Sequence, residues 1–278
     1  MLWNISIVRT LIILVLVGLI LGGSAYFAYE LYWKPRKLDR EDKAAAAQTT
    51  EIPDYTLPAF QKAADLERSG DIDGARAAWG DFIRDYPNAP KVAEAKAALG
   101  RTNTGLIFSP TPSPEKLTYS VRKGDSLVKI ASKFKSNAEL IFRANNMETI
   151  NLKIGQRLVI PQLEISLVVD RKAGTVTLFN KGQFFKEYQT LALKTPGVSA
   201  SAQTKVADKI ALRGSNRVAF GDKNYSGSER WVMLGSAGLV IRSLPEGAEA
   251  PPPGIIVAQP DIEEIFLLVS RGSPVTIH

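Results

Sequence analysis

The chain has 278 residues, no cysteine, a single histidine (His278), and 45% hydrophobic residues. The missing cysteine excludes disulfides, a lipid-modified N-terminal cysteine, cysteine metal sites and any thiolate nucleophile, while the length allows one medium and one or two small domains. The formal charge of +7 is unevenly spread: residues 115–157 carry nine basic against four acidic residues, and residues 44–114 seven against nine. Such a basic stretch suits an anionic partner or a solvated surface. Aromatic and basic residues do not interleave, which argues against nucleic acid.

Residues 10–28 (TLIILVLVGLILGGSAYFA) are apolar and uncharged, and Tyr26, Tyr29, Tyr32 and Trp33 add an interfacial belt. About 20 such residues span a bilayer as a helix. A cleaved signal peptide is the rival reading, because Gly23-Ser24-Ala25 offers a small-x-small site. The apolar run continues past that site without a polar break, which favours an uncleaved anchor within residues 1–43. Charge and orientation disagree. Only Arg9 and the terminal amine precede the span, whereas Lys34, Arg36, Lys37, Arg40 and Lys43 follow it, so the positive-inside rule alone leaves the C-terminal bulk in the cytoplasm.

A polar, Ala-rich linker (42–54) leads to residues 55–100, where two amphipathic segments flank Gly70-Asp71 and a third runs over about 91–99. Ala63, Gly70, Ala75 and Pro87 stand at the spacing of a tetratricopeptide repeat, which this hairpin resembles. Only about one and a half repeats are present, fewer than the three such arrays need to bury a continuous core. The hairpin is therefore read equally as a helical spacer or as a docking site for a protein partner. Residues 105–114 (GLIFSPTPSP) fall within a proline-containing linker, 101–118.

Residues 119–161 (YSVRKGDSLVKIASKFKSNAELIFRANNMETINLKIGQRLVIP) read as βααβ. Tyr119-Ser120-Val121 alternates like a strand and Lys123-Gly124-Asp125-Ser126 supplies a turn and an N-cap. Leu127, Ile130, Ala131 and Phe134 fall at helical spacing, as do Leu140, Ile141 and Ala144. Leu158-Val159-Ile160 closes the unit. The combination KGDSL, IASKF, ELI, RANN and the final GQ.L.IP resembles a LysM domain, here 119–162. The resemblance implies binding of peptidoglycan or a related N-acetylglucosamine polymer. It places the sugar in a shallow groove between Gly124, Asp125, Ser126 and Leu127 on one side and Ile150, Asn151 and Leu152 on the other. Backbone amides in such loops suit N-acetyl carbonyls.

From residue 163 the pattern turns to strands. ISLVVDR, TVTLFN and FFKEYQTLAL are separated by turns at 172–174 and 180–183. With Thr195-Pro196-Gly197, Trp231-Val232-Met233-Leu234 and a final helix-Gly-strand run ending at Ile277, residues 163–278 resemble an L,D-transpeptidase (YkuD-type) domain. That family forms an acyl-enzyme on a cysteine, with a histidine and an arginine carried in IHG and S-x-G-C-x-R segments. Here the segments read Ile241-Arg242-Ser243 and 252–257, so the histidine, cysteine and arginine positions are Arg242, Ile255 and Val257. Isoleucine is no nucleophile and arginine no base. Ser236 or Ser243 beside a lysine is the remaining enzymatic option, and no Gly-x-Ser-x-Gly or Ser-x-x-Lys pattern supports it. Glu263-Glu264 reads as a solvated helix face, and no metal or cofactor is implied.

The expected fold class is multidomain α+β: an N-terminal transmembrane helix, a helical hairpin, a βααβ LysM module and a mainly-β L,D-transpeptidase-like domain that is catalytically degenerate. The resemblances imply a non-enzymatic cell-envelope protein in the inner membrane, with its C-terminal domains outside the cytoplasm.

Overall fold

The computed structural model describes residues 3–34, 36–37, 54–198, 201–235 and 238–278, and the side chains from residue 10 onward. The expected linker at 42–53, the flanking Arg40 and Lys43, the side chain of Arg9 and the candidate nucleophile Ser236 lie outside the described residues. The chain forms two compact units, Met1–Tyr55 and Thr56–His278. In the first, helix α1 (Trp3–Ala28) continues into a π-helical turn, Tyr29–Trp33. Thr10–Trp33 is long and apolar enough to cross a membrane.

The second unit opens with α2 (Leu57–Ser69) and α3 (Ile72–Asp85). Gly70 ends α2 in the left-handed region at φ +82°, and the Asp71 amide donates back to Leu66 O at 3.1 Å. Glycine takes this conformation without a Cβ penalty. One residue on, Asp71 caps α3 by accepting from Gly74 N at 2.9 Å. Ala63 and Ala75 are fully buried beside Trp79 and Phe82, and Phe60 meets the Trp79 ring edge-on at 4.9 Å.

Helix α4 (Val92–Ile107) departs from expectation, running eight residues beyond Leu99 into the segment read as linker. Its last two turns are held by a distant strand. Asn103 Nδ2 donates to Phe185 O at 2.9 Å, and a Cβ on Gly100 would stand 2.8 Å from Lys186 Cγ. The loop that follows is tied down as well. Arg76 pairs with Glu115 at 2.7 Å, and Lys116 Nζ donates to the carbonyls of Leu106, Ser109 and Thr111. Burial lowers the Lys116 pKa to about 8.

The βααβ module is β1 (Lys116–Ser120), α5 (Leu127–Lys133), α6 (Ala138–Ala144) and β2 (Arg157–Pro161), with Tyr119 opposite Leu158 in an antiparallel pair. The first strand starts at Lys116, three residues before the motif. Asn145 fastens α6 to β2: its Oδ1 accepts from Val159 N at 2.8 Å, and its Nδ2 donates to Ile141 O and Val159 O at 2.7 Å.

Strands β3 (Ile165–Asp170), β4 (Thr175–Asn180), β5 (Gln183–Lys194), β6 (Ala202–Arg213), β7 (Asn216–Val218), β8 (Glu229–Leu234), β9 (Val240–Ser243), β10 (Gly254–Val257) and β11 (Pro274–Ile277), with α7 (Gln259–Leu268), complete the unit. The sheet runs β11-β3-β4-β5-β10-β9-β8-β6-β7, and β11 also pairs with β6. Eight strands therefore close into a barrel, which removes the open edges. Lys181 (φ +51°) and Gly182 (φ +78°) form the two-residue β4–β5 turn.

Glu263 and Glu264 of α7 do not face free solvent as the sequence suggested. Glu263 accepts from Arg230 Nε at 3.1 Å, and Glu264 takes Lys186 Nζ and, at 3.2 Å, the Tyr188 hydroxyl. Their partners lie 33, 78 and 76 residues away, beyond the reach of helical periodicity.

Candidate functional site

Val121, just before the first loop of the expected sugar groove, is tied to the turn that follows the second. Its amide donates to Gln156 O at 2.9 Å and its carbonyl accepts from Gly155 N at 2.8 Å, extending the β1–β2 pairing past the strand ends. Gly124 sits at φ +86° at the tip of the first loop. The Asp125 carboxylate accepts from Arg122 N at 2.7 Å and from the Tyr119 hydroxyl at 2.8 Å. These bonds, led by that of the Arg122 amide, hold its pKa below the ordinary carboxylate value. Asp125 thus braces the loop, and Ser126 caps α5 by accepting from Lys129 N at 3.3 Å. Leu127 is buried in the module core, and Leu152 packs on it. Ile150 and Asn151 are exposed. Among the described residues, the amides of Gly124, Ser126, Ile150 and Leu152 donate to no protein acceptor. Two exposed aliphatics that the motif did not mark, Val128 (64% exposed) and Ile154 (73%), follow the two segments in sequence by one and two residues.

A second feature was not legible in the motif. The β7–β8 loop (219–228) packs on the βααβ module. Phe220 packs against the module core and meets Phe142 edge-on at 5.5 Å. A Cβ on Gly221 would stand 3.3 Å from Ile150 Cδ1, so Ile150 lies directly against the Gly221 backbone. Behind this contact is a buried charge cluster. Glu139 of α6, 5% exposed, accepts from the Tyr225 hydroxyl and pairs with Arg230, 4% exposed, at 3.8 Å. Arg143 reaches Glu139 at 3.4 Å. Burial, then the bond to Glu139, pushes the Tyr225 hydroxyl pKa up.

The three positions matched to the transpeptidase triad are not brought together. Ile255 and Val257 are fully buried in the core cluster that includes Ile241 and the α7 residues Ile262 and Ile265. In the parallel pairing of β10 with β9, Ile255 lies opposite Ile241 and Ile256 opposite Arg242. Side chains alternate along a strand, so Arg242 projects from the other face, where its guanidinium lies 4.4 Å from the Trp231 ring. Ser243 is half-buried opposite Val257. Among the described residues, no cluster of three or more His, Asp or Glu is placed to hold a metal.

An open cleft of about 640 Å³ lies between α3, α4 and the β4–β5 turn, lined by Arg76, Arg84, Asn103, Glu115, Gln183 and Phe184. No residue of the groove loops lines it.

Residues 119–161 match the family model of the LysM domain. No curated protein sequence matches the chain. Among solved structures, the chain is similar to an L,D-transpeptidase from Mycobacterium smegmatis, at 14% identity and TM-score 0.31 over 45% of this chain and 64% of that one. It is also similar to L,D-transpeptidase 1 of Mycobacterium tuberculosis, at 13% identity and TM-score 0.30 over 44% and 66%. For an Enterococcus faecium L,D-transpeptidase the values are 12% and 0.30 over 72% and 82%. The chain spans just under two thirds of the first two, and no statement about chemistry follows from likeness at this level.

Proposed function

We propose that this chain is a cell-envelope protein that holds peptidoglycan, or a related N-acetylglucosamine polymer, through its LysM domain. The carrying observation is the family match over 119–161, and the exposure of Gly124, Ser126, Ile150 and Asn151 in loops 124–127 and 150–152 supports it. The free amides of those loops suit N-acetyl carbonyls, and exposed Val128, Ile150 and Ile154 offer apolar surface to sugar rings. The N-terminal helix serves as a membrane anchor, a reading supported by its length and apolar composition. An anchor with the LysM domain outside the cytoplasm puts the groove where wall polymer is found, and this outranks the charge count around the helix.

The C-terminal barrel acts as a scaffold or binding module rather than an enzyme. This part rests on the sequence: cysteine is absent and the matched positions hold Arg242, Ile255 and Val257. The burial of Ile255 and Val257 agrees with it. The helical hairpin remains a candidate docking site for a protein partner, with the cleft beside α3 and α4 as its natural location.

Sedimentation of the full chain, in detergent, with insoluble peptidoglycan tests the main reading. The wild type is expected to pellet and Asn151→Trp to stay in solution. Asn151 is exposed, so a bulky replacement there blocks the groove without disturbing the core. A wild type that fails to pellet overturns the reading.

A further inference from the structure

We propose that the β7–β8 loop of the barrel forms a second wall of the glycan groove, so that Asp222, Lys223 and Asn224 bind sugar units beyond those held by the LysM loops. The inference rests on the glycan-binding reading above and extends it to the other domain. Three observations carry it. First, Ile150, a member of the sugar loop, lies directly against Gly221. Second, the loop is seated on the LysM domain by Phe220, which packs against that domain's core, and by Tyr225, which donates to buried Glu139. Third, the residues after Gly221 are polar and exposed.

Distance and chemistry both fit. Consecutive Cα atoms are about 3.8 Å apart, so Asp222, Lys223 and Asn224 lie within about 11 Å of the Gly221–Ile150 contact, roughly two sugar units. Asp222 Oδ1 accepts from Asn224 N at 2.7 Å, which leaves the second carboxylate oxygen to accept from sugar hydroxyls. The Lys223 ammonium donates, and the Asn224 amide does both. Hydroxyl-rich and N-acetylated chains present the complementary groups. The glycine adds to the case: at φ +97° it takes a backbone conformation that other residues reach only with strain, and it lets Ile150 pack closely on the loop backbone.

Titration calorimetry of the full chain in detergent with two soluble N-acetylglucosamine oligomers, a dimer and a pentamer, provides the test. The variants are the double replacement Asp222→Ala with Lys223→Ala and, separately, Asn151→Trp. Both alanine positions are exposed and outside the Phe220 and Tyr225 contacts. The expected result is an unchanged dimer affinity and a pentamer affinity about tenfold weaker in the double variant, with both ligands lost in Asn151→Trp. Equal pentamer affinity in wild type and double variant, with Asn151→Trp still inactive, overturns the second wall but leaves the LysM groove standing. A wild type that binds neither oligomer overturns both.

Discussion

The LysM domain and the β9–β10 region of the barrel both carry a family resemblance, yet they hold their marked residues in opposite ways. In the LysM loops the marked positions lie at the surface: Gly124, Ser126, Ile150 and Asn151 are exposed, and the side chains that do turn inward, Asp125 and Leu127, shape the loop. In the barrel the marked positions are divided between two faces, with Ile255 and Val257 sunk in the core and Arg242 stacked on Trp231. A recognition groove built on backbone amides needs only loop geometry. A catalytic centre needs side chains converging on one point. Loops 124–127 and 150–152 meet the first requirement as far as their exposure goes, and the three matched barrel positions do not meet the second.

The joint between the two regions provides the largest effect. Replacing Arg230 with Met leaves buried Glu139 with only the half-exposed Arg143 as its cation and takes away the Glu263 partner as well, and loss of one partner of a buried pair costs about 3–5 kcal/mol. Thermal melting should show this loss, and a melting temperature within a degree or so of wild type would mean that the two regions are not held together through this pair. Next is Ile255→Ala, expected to cost about 2–5 kcal/mol in denaturant unfolding because the side chain is fully buried. The companion Ile255→Cys sharpens the comparison. Its thiol should resist an aqueous thiol reagent in the folded protein and react on unfolding, whereas fast labelling of the native state would restore the idea of an open catalytic groove.

The third effect is pH-dependent. The Lys209 ammonium donates to Val269 O at 2.7 Å and lies over the Phe266 ring. Burial drives its pKa down to about 7, against a partial opposing pull from Glu139. The unfolded chain therefore binds more protons than the folded one between about pH 7 and the ordinary lysine value of 10.5. The Lys209 contribution to stability rises with pH across that window and is flat below it. Lys209→Met lacks this rise, so the wild type should gain on the variant in chemical denaturation as pH increases from 7 to 10. A constant difference would contradict the burial argument. The smallest effect is the loss of the α5 cap in Ser126→Ala, worth about 1 kcal/mol of stability. Peptidoglycan retention should persist, since the Ser126 backbone stays in place.

Local patterns made the LysM domain legible: the Ser126 cap, the periodic apolar residues of α5 and α6, and the closing strand are each set within a few residues. The Gly70-Asp71 stop and start of the hairpin was legible for the same reason. The end of α4 was not, because residues 100–107 are kept helical by Phe185 and Lys186, more than 80 residues onward. Nor was the role of Glu263 and Glu264, whose partners come from β8 and β5. In the candidate site the LysM loops could be read from the motif, but the packing of the β7–β8 loop beside Ile150 could not. Phe220 and Gly221 sit in a polar turn with no periodic signature, and only the closed barrel brings them to the sugar loop.

The central claim, that the LysM loops hold a wall glycan, is tested most directly by sedimentation of the full chain with insoluble peptidoglycan beside Asn151→Trp. Wild type in the pellet and variant in the supernatant is the predicted result. Equal sedimentation of both, or of neither, would contradict the groove as the site of binding.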